Sequence, residues 1–121
     1  MALPEHLKVG LRGEQLAARY LRSKKYQIFA SNFSTKLGET DIIAIEKGGT
    51  VCFVEVKTRS PGQMFAPSEA VDFRKQENLR SNAAAFLKTA KLQERNIRFD
   101  IIEVILHDLY TADINHIKNA F

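Results

Sequence analysis

The chain has little cysteine, since Cys52 is its only one among 121 residues. This excludes an internal disulfide and a zinc site built on several cysteines, and it favours a reducing compartment. The chain also lacks any run of about 20 apolar residues, the length that spans a bilayer, and residues 1–10 lack the basic and apolar segments of a secretion signal. We therefore expect a cytoplasmic protein that is neither secreted nor inserted in a membrane.

The composition is that of a folded protein with a basic bias. Hydrophobic residues make up 45% and charged residues 26%, which excludes a disordered chain. A length of 121 residues fits one domain, covering 1–121, with a core of its own. The formal net charge is +4, and residues 1–40 hold seven Lys or Arg against three acids. Such a basic excess suits a polyanionic partner such as nucleic acid.

Hydrophobic periodicity predicts the element order αβββαβ. The predicted elements are a helix over 5–24, strands over 26–33, 38–46 and 50–59, a helix ending near residue 91, and a strand over 99–106. The last strand is apolar at both parities, which indicates a position inside the sheet. Residues 60–63 should break the chain and 64–68 should form a loop. Residues 110–121 fit either a short edge strand or a tail that packs its Phe121.

The first helix carries a charge at a position where its apolar stripe predicts core. Leu7, Leu11, Ala18 and Leu21 form the stripe, and Glu14 completes its regular spacing. A carboxylate in the core is costly unless it is paired, protonated or bound to a cation. The alternative is that Glu14 lies at the edge of the stripe and reaches solvent or an arginine.

The predicted hairpin carries charges of the same kind. Asp41 in one strand, and Glu55 and Lys57 in the next, share a face with apolar residues. The alternative is a solvated strand end with a Glu55–Lys57 ion pair. A three-residue loop over 47–49 opposes Asp41 to Glu55, whereas a two-residue loop would place them on opposite faces. We therefore predict the odd loop.

Two carboxylates that face each other repel, unless a divalent cation lies between them. Mg²⁺, or Mn²⁺ in its place, suits carboxylate oxygens, and we expect the first helix to pack on the same face and add Glu14. Such an ion polarises phosphoryl oxygens and lowers the pKa of a bound water, while Lys57 can orient that water or stabilise the transition state. This pattern favours phosphodiester hydrolysis.

The same residues resemble a known family. The matching motifs are Gly13-Glu14, Gly38-Glu39-Thr40-Asp41, Phe53-Val54-Glu55-Val56-Lys57-Thr58-Arg59, Lys75-Gln76, Arg98-Phe99-Asp100 and Asn119-Ala120-Phe121. They are similar to the PD-(D/E)xK nuclease superfamily and, within it, to the YraN-like family of bacterial proteins that carries an endonuclease label. Thr40 replaces the proline that the superfamily's name implies.

The resemblance implies a restriction-endonuclease-like αβββαβ core, a mixed sheet flanked by helices, similar to archaeal Holliday-junction resolvases. It implies Glu14, Asp41, Glu55 and the backbone carbonyl of Val56 as metal ligands, and Lys57 as the catalytic lysine. The expected activity is a Mg²⁺- or Mn²⁺-dependent endonuclease acting on DNA, by analogy branched or structured DNA, and a resolvase would act as a homodimer. The alternative is a catalytically silent module with the same fold that binds nucleic acid or a partner protein.

Several further residues are candidates for contact with nucleic acid. The basic candidates are Arg12, Arg59, Arg74, Lys75 and Arg80, which suit phosphate contacts or ordinary solvated surface equally well. Gln76 is either a residue of the site, as in several branches of the superfamily, or the polar start of the second helix.

Overall fold

Within the described residues, five strands form one mixed sheet. The computed structural model describes residues 5–62 and 71–121, apart from the side chains of His6 and Leu7. The elements are α1 (Glu5–Ser23), β1 (Gln27–Thr35), β2 (Gly38–Ile45), β3 (Val51–Arg59), α2 (Phe73–Ala90), β4 (Ile97–Leu106) and β5 (Ala112–Ile117). The strand order is β1-β2-β3-β4-β5, with β3 and β4 parallel and the other neighbours antiparallel. The predicted α/β class and αβββαβ order are confirmed, and β5 adds an edge strand.

The turn between β2 and β3 sets the register of the hairpin. The N–H of Glu46 donates to the carbonyl of Thr50 at 2.9 Å, which leaves the three residues 47–49 as the loop. The strands therefore pair in the odd register that was predicted. Continued beyond the last paired residues, this register opposes Asp41 to Glu55.

The end of the chain completes the sheet and then returns to its core. β4 lies between β3 and β5 and is buried on both faces, as its two-sided apolar pattern predicted. Beyond β5, the ring of Phe121 stacks on that of Phe99 with 5.4 Å between centroids. Residues 110–121 thus form both an edge strand and a tail that packs Phe121, which the sequence left open as alternatives.

Apolar clusters lie on both faces of the sheet, with one helix covering each face. On one face, α1 packs Ala17 and Leu21 against a cluster that includes Ile42, Val54, Val56 and Ile102. On the other face, α2 packs Ala83, Phe86 and Leu87 against Ile43, Val51, Phe53 and Phe99. Burial of this apolar surface is the main stabilising contribution. Odd-numbered residues of β2 and β3 therefore face α2, and even-numbered ones face α1.

The buried face of α1 includes Leu21 of the predicted stripe but otherwise lies one residue away from it, at Gly13 and Ala17. Leu11 is 45% exposed, whereas Gly13, Ala17 and Leu21 are buried. The predicted stripe was based on large apolar side chains and therefore left out Gly13, which allows close packing because it has no side chain. For this reason Glu14 was predicted to lie in the core. Glu14 in fact lies at the edge of the buried face, which is the alternative that the pattern left open.

The second helix has defined ends. Asp72 is its N-cap and accepts a hydrogen bond from the N–H of Lys75 at 2.9 Å, and Lys91 ends it in the left-handed conformation, with φ of 59°. The predicted loop over 64–68 lies outside the described residues. None of the helices described is long and apolar enough to cross a membrane.

Candidate active site

The strands β2 and β3 stop pairing just before Asp41 and Glu55. Their last pair is Ile42 with Val54. Beyond it, Oδ2 of Asp41 accepts a hydrogen bond from the N–H of Val56 at 2.8 Å. Because the N–H and C=O of a strand residue point to the same side, the Val56 carbonyl is also directed towards β2. The Asp41 carboxylate and the Val56 backbone therefore meet in the gap between the two strands.

Glu55 is a buried carboxylate shared by two lysines. Its Oε1 accepts a hydrogen bond from Nζ of Lys75 at 2.8 Å, and Nζ of Lys57 lies 3.5 Å from the same oxygen. The Glu55 side chain is only 8% exposed, whereas that of Lys75 is 41% exposed. In this arrangement the two ammonium groups compensate the buried negative charge, which would otherwise be costly.

Glu14 reaches the same region from the opposite side of the sheet. The expectation that α1 packs on the face of Asp41 and Glu55 was wrong, because α1 covers the even-numbered face of β3. Gly13 brings the helix unusually close to β3, since a Cβ atom there would lie 1.8 Å from Oγ1 of Thr58. The opening between β2 and β3 then lets Glu14 approach the other carboxylates past the end of their pairing.

Two clefts meet at this opening. The larger, of about 650 Å³, lies on the α1 side and is lined by Glu5, Val9, Gly10, Glu14, Asp41, Glu55, Val56, Lys57 and Thr58. The smaller, of about 310 Å³, lies on the α2 side and is lined by Gly38, Glu39, Asp41, Glu55, Lys75, Asn78 and Leu79. Asp41 and Glu55 line both clefts. The structure thus brings Glu14, Asp41, Glu55 and Lys57, all selected from the sequence, to one open cleft.

The proximity of these groups shifts their pKa values. Burial, reinforced by the negative charge of Glu55, raises the pKa of Asp41 to about 7. Burial also raises the pKa of Glu14, and repulsion from Glu39 and Glu55 adds to this effect. Burial lowers the pKa of Lys57. Burial also acts to lower the pKa of Lys75, but the hydrogen bond to Glu55 and the nearby negative charges together outweigh it and raise that pKa. Burial and mutual repulsion thus both disfavour the charged forms of Glu14 and Asp41.

The donor set suits a hard divalent cation, but the side chains are not gathered around a single point. Glu14, Asp41, Glu55 and the Val56 carbonyl supply only oxygen atoms, as Mg²⁺ and Mn²⁺ prefer. Over residues 5–62 and 71–121, however, no group of three or more His, Cys, Asp or Glu lies close enough together to hold a metal ion. The residues fit the ion chemically, and side-chain rearrangement is needed to surround it.

Comparison with known proteins places these residues in a family. The model of the uncharacterised protein family UPF0102 matches residues 13–104. The chain belongs to UPF0102. A UPF0102 protein of Alkaliphilus oremlandii is 48% identical over 116 residues, which cover 94% of this chain and 97% of that protein. UPF0102 proteins of Caldanaerobacter subterraneus subsp. tengcongensis and Syntrophomonas wolfei are 46% and 44% identical, covering 93% and 94% of this chain and 93% and 97% of theirs. The predicted membership of the YraN-like family is confirmed, because that family is UPF0102.

One residue beside Glu14 was missed from the sequence, namely Asn32, which lines a further cleft together with Glu14 and Asp41. Asn32 lies in β1 with φ of 52°, a left-handed conformation that is rare in strands, and its side chain hydrogen-bonds to Glu14. Asparagine tolerates this conformation better than most residues. An asparagine inside an otherwise β-forming segment was the available signal.

Two of the predicted phosphate contacts have structural partners instead. Arg59 is buried, and its Nε lies 2.7 Å from Oε2 of Glu103 on β4. Nε of Arg12 donates to the carbonyl of Leu109 at 2.7 Å, which ties α1 to the segment between β4 and β5. The structure does not bring either guanidinium into the cleft, and sequence alone gave no indication of these distant partners.

The remaining candidates lie on α2. Gln76 donates through Nε2 to the carbonyl of Val71 at 3.0 Å, so its side chain serves the start of the helix. The guanidinium of Arg80 lies over the rings of Phe99 and Phe121, 5.7 and 5.5 Å from their centroids. Arg74 is exposed, and among the α2 candidates it is Lys75 that lines the cleft and contacts a carboxylate.

Proposed function

We propose that this UPF0102 protein is a divalent-cation-dependent endonuclease that hydrolyses phosphodiester bonds in DNA. The observation that supports this most is the convergence of three carboxylates, from α1, β2 and β3, on one open cleft that also holds Lys57. A purely structural role does not account for this convergence, because burial and mutual repulsion both disfavour the charged forms of Glu14 and Asp41. A binding site for a cation does account for it.

Glu14, Asp41, Glu55 and the Val56 carbonyl are the groups that would hold the cation. When bound, Mg²⁺ or Mn²⁺ polarises a phosphoryl oxygen and promotes deprotonation of water. The Asp41 side chain is already positioned for this, since its hydrogen bond to the Val56 N–H fixes the carboxylate in the gap between the strands. A ligand that is already held in place reduces the cost of binding, whereas Glu14 and Glu55 would have to rearrange around the ion.

We assign to Lys57 the role of stabilising the negative charge on the phosphate during cleavage. Its Nζ lies 3.5 Å from Oε1 of Glu55, which holds the ammonium group at the cleft, and its side chain is only 23% exposed. A positive charge with little water around it stabilises the negative charge that develops on phosphoryl oxygens during attack. Lysine is suited to this as a compact charge that donates up to three hydrogen bonds.

A substrate panel tests the proposal. Single-stranded, duplex and four-way-junction DNA are incubated with the protein and Mg²⁺ or Mn²⁺, and products are resolved on denaturing gels. We expect cleavage with either ion and none with chelator. Lys57→Ala should lower the rate by about 100-fold or more, because it removes a charge that stabilises the transition state.

Lys47→Ala is the matched control for this panel. Lys47 is an exposed lysine in the turn at the other end of the same hairpin. Its substitution should leave the rate within about twofold of wild type, as expected for a surface position away from the site. Equal losses in the two variants would mean that the overall positive charge matters rather than the position of Lys57.

The second candidate function is a module that binds nucleic acid without cleaving it. One observation favours it, namely that Glu55 already holds an ammonium group where a cation ligand is needed. DNA binding with no cleavage of any substrate, under either ion, would support this candidate and reject the nuclease. We also propose a cytoplasmic location, because its reducing conditions suit the buried, free Cys52.

A further inference from the structure

Lys75 holds a position that the proposed function does not explain. Its Nζ is 2.8 Å from Oε1 of Glu55, closer than Nζ of Lys57 at 3.5 Å. Glu55 is thus the hydrogen-bond acceptor of a residue from α2, a helix on the face of the sheet opposite α1. The contact spans the cleft between α2 and β3 that Asp41 also lines.

We propose that Lys75 is a built-in counter-ion that occupies Glu55 when the site is free of metal, and that a divalent cation must displace it in order to bind. The inference rests on the proposed function, because it concerns the same carboxylates. It assigns Lys75 as a positioning residue that acts on the site through Glu55.

Displacement follows from the electrostatics of the contact. An ammonium group that is hydrogen-bonded to Oε1 occupies the space and the negative charge that a cation would use. A divalent cation bound to Glu55 would lie within a few ångströms of Nζ of Lys75, where like charges repel strongly at low dielectric. The two cations therefore exclude each other on this oxygen.

The side chain of Lys75 can move away from Glu55 while its backbone stays in place. Its backbone is held in the first turn of α2, where its N–H donates to the Asp72 cap at 2.9 Å. Its side chain, in contrast, is 41% exposed, so that a rotation about its flexible stem returns the charge to water at little cost. Lys57, at 23% exposure, is more enclosed and remains beside Glu55.

Release of Lys75 also creates a free positive charge at the mouth of the cleft. While Lys75 is bonded to Glu55 this charge is neutralised, whereas after displacement it is available to a phosphate group. Metal loading and phosphate contact would then be linked through a single side chain.

The test is calorimetric titration of Mn²⁺ into the full chain in three forms: wild type, Lys75→Met and Arg74→Met. The two substitutions remove the same charge from adjacent residues of α2, but only Lys75 contacts Glu55. We expect Lys75→Met to bind Mn²⁺ on the order of tenfold more tightly than wild type, which corresponds to about 1.4 kcal/mol. Arg74→Met should bind as wild type does, within about twofold.

The outcomes separate the competing explanations. Unchanged or weaker binding by Lys75→Met would overturn the inference, because Lys75 would then be neutral or would help to organise the ligands. An equal gain in Arg74→Met would also overturn it, since the effect would come from net charge alone. No Mn²⁺ binding by any form, with Asp41→Asn as the blank, would reject the metal site and with it the nuclease proposal.

Two further variants, Lys75→Arg and Lys75→Gln, keep the test valid if Lys75→Met does not fold. Lys75→Arg keeps the positive charge and the salt bridge, and should bind Mn²⁺ no more tightly than wild type. If Lys75→Met proves unfolded by circular dichroism, Lys75→Gln replaces it, because glutamine retains a hydrogen-bond donor for Glu55 but carries no charge. Tighter binding by Lys75→Gln than by Lys75→Arg would support the inference, and equal binding would contradict it.

Discussion

Two glycines of α1 should respond in opposite directions to the same substitution. A Cβ atom at Gly10 would have nothing within 4 Å, whereas one at Gly13 would lie 1.8, 2.9 and 3.1 Å from the Oγ1, Cβ and Cγ2 atoms of Thr58. Gly10→Ala should therefore stabilise the protein by about 0.5–1 kcal/mol, the gain in helix propensity. Gly13→Ala receives the same gain but also introduces the overlap with β3.

The overlap at Gly13 has no inexpensive relief. Rotation of the Thr58 side chain moves Oγ1 and Cγ2, but its Cβ, at 2.9 Å, moves only with the strand. Separating two carbons to the optimal distance of about 3.5 Å requires a shift of roughly 0.6 Å between helix and strand. Overpacking of this kind costs about 1–3 kcal/mol, and a non-rotameric side chain adds about 1 kcal/mol. After the propensity gain, we expect a net destabilisation of about 1–3 kcal/mol.

Urea unfolding of wild type, Gly10→Ala and Gly13→Ala measures these differences. A second readout is Mn²⁺ affinity, which should fall in Gly13→Ala because the helix that carries Glu14 is pushed away from β3. Adding Thr58→Ala to Gly13→Ala should recover part of the lost stability, since it removes two of the three overlapping atoms. Equal stability of the two glycine variants would refute the close packing of α1 on β3.

Other residues give independent predictions. Asn32→Gly should leave stability within about 1 kcal/mol of wild type, because glycine accepts the left-handed conformation of this residue. The same substitution should weaken Mn²⁺ binding, because it removes the hydrogen bond to Glu14. Unchanged Mn²⁺ affinity would show that Asn32 does not position Glu14. Burial alone would raise the pKa of Asp100, but hydrogen bonds from His116 and Arg98 lower it to about 2. Since the folded pKa is below the unfolded value, this contribution of about 2 kcal/mol is present above pH ~4 and is lost as the pH falls towards 2. Asp100→Asn should unfold more easily at pH 7 and lose less stability between pH 4 and 2, as measured by urea unfolding at each pH; an acid slope equal to that of wild type would contradict the ion-pair network.

Local patterns in the sequence were sufficient for the hairpin and its charges. The loop over 47–49 has an odd length, and period-two alternation then determines which residues share a face, so Asp41 and Glu55 could be predicted to approach each other. The apolar strand β4 was also predictable, because burial on both faces leaves no polar alternation. These features depend on residues that are close in sequence.

The features that sequence patterns missed depend on distant partners. The face of α1 was misassigned because Gly13 contributes no hydrophobicity, although its lack of a side chain is what lets the helix approach Thr58. The roles of Arg59 and Lys75 are determined by partners 44 and 20 residues away, and no periodicity reports such contacts. Basic residues near a site therefore tend to be interpreted as phosphate contacts when some of them neutralise buried acids.

The central claim is that the converging carboxylates form the metal site of a nuclease. The most direct test is Mn²⁺-dependent cleavage of four-way-junction and duplex DNA by wild type and Asp41→Asn, purified side by side. Asp41→Asn keeps the size of the side chain but removes the charge at the centre of the cleft. We expect cleavage by wild type and a rate at least about 100-fold lower for Asp41→Asn. Equal rates, or no cleavage by wild type under any condition, would contradict this claim.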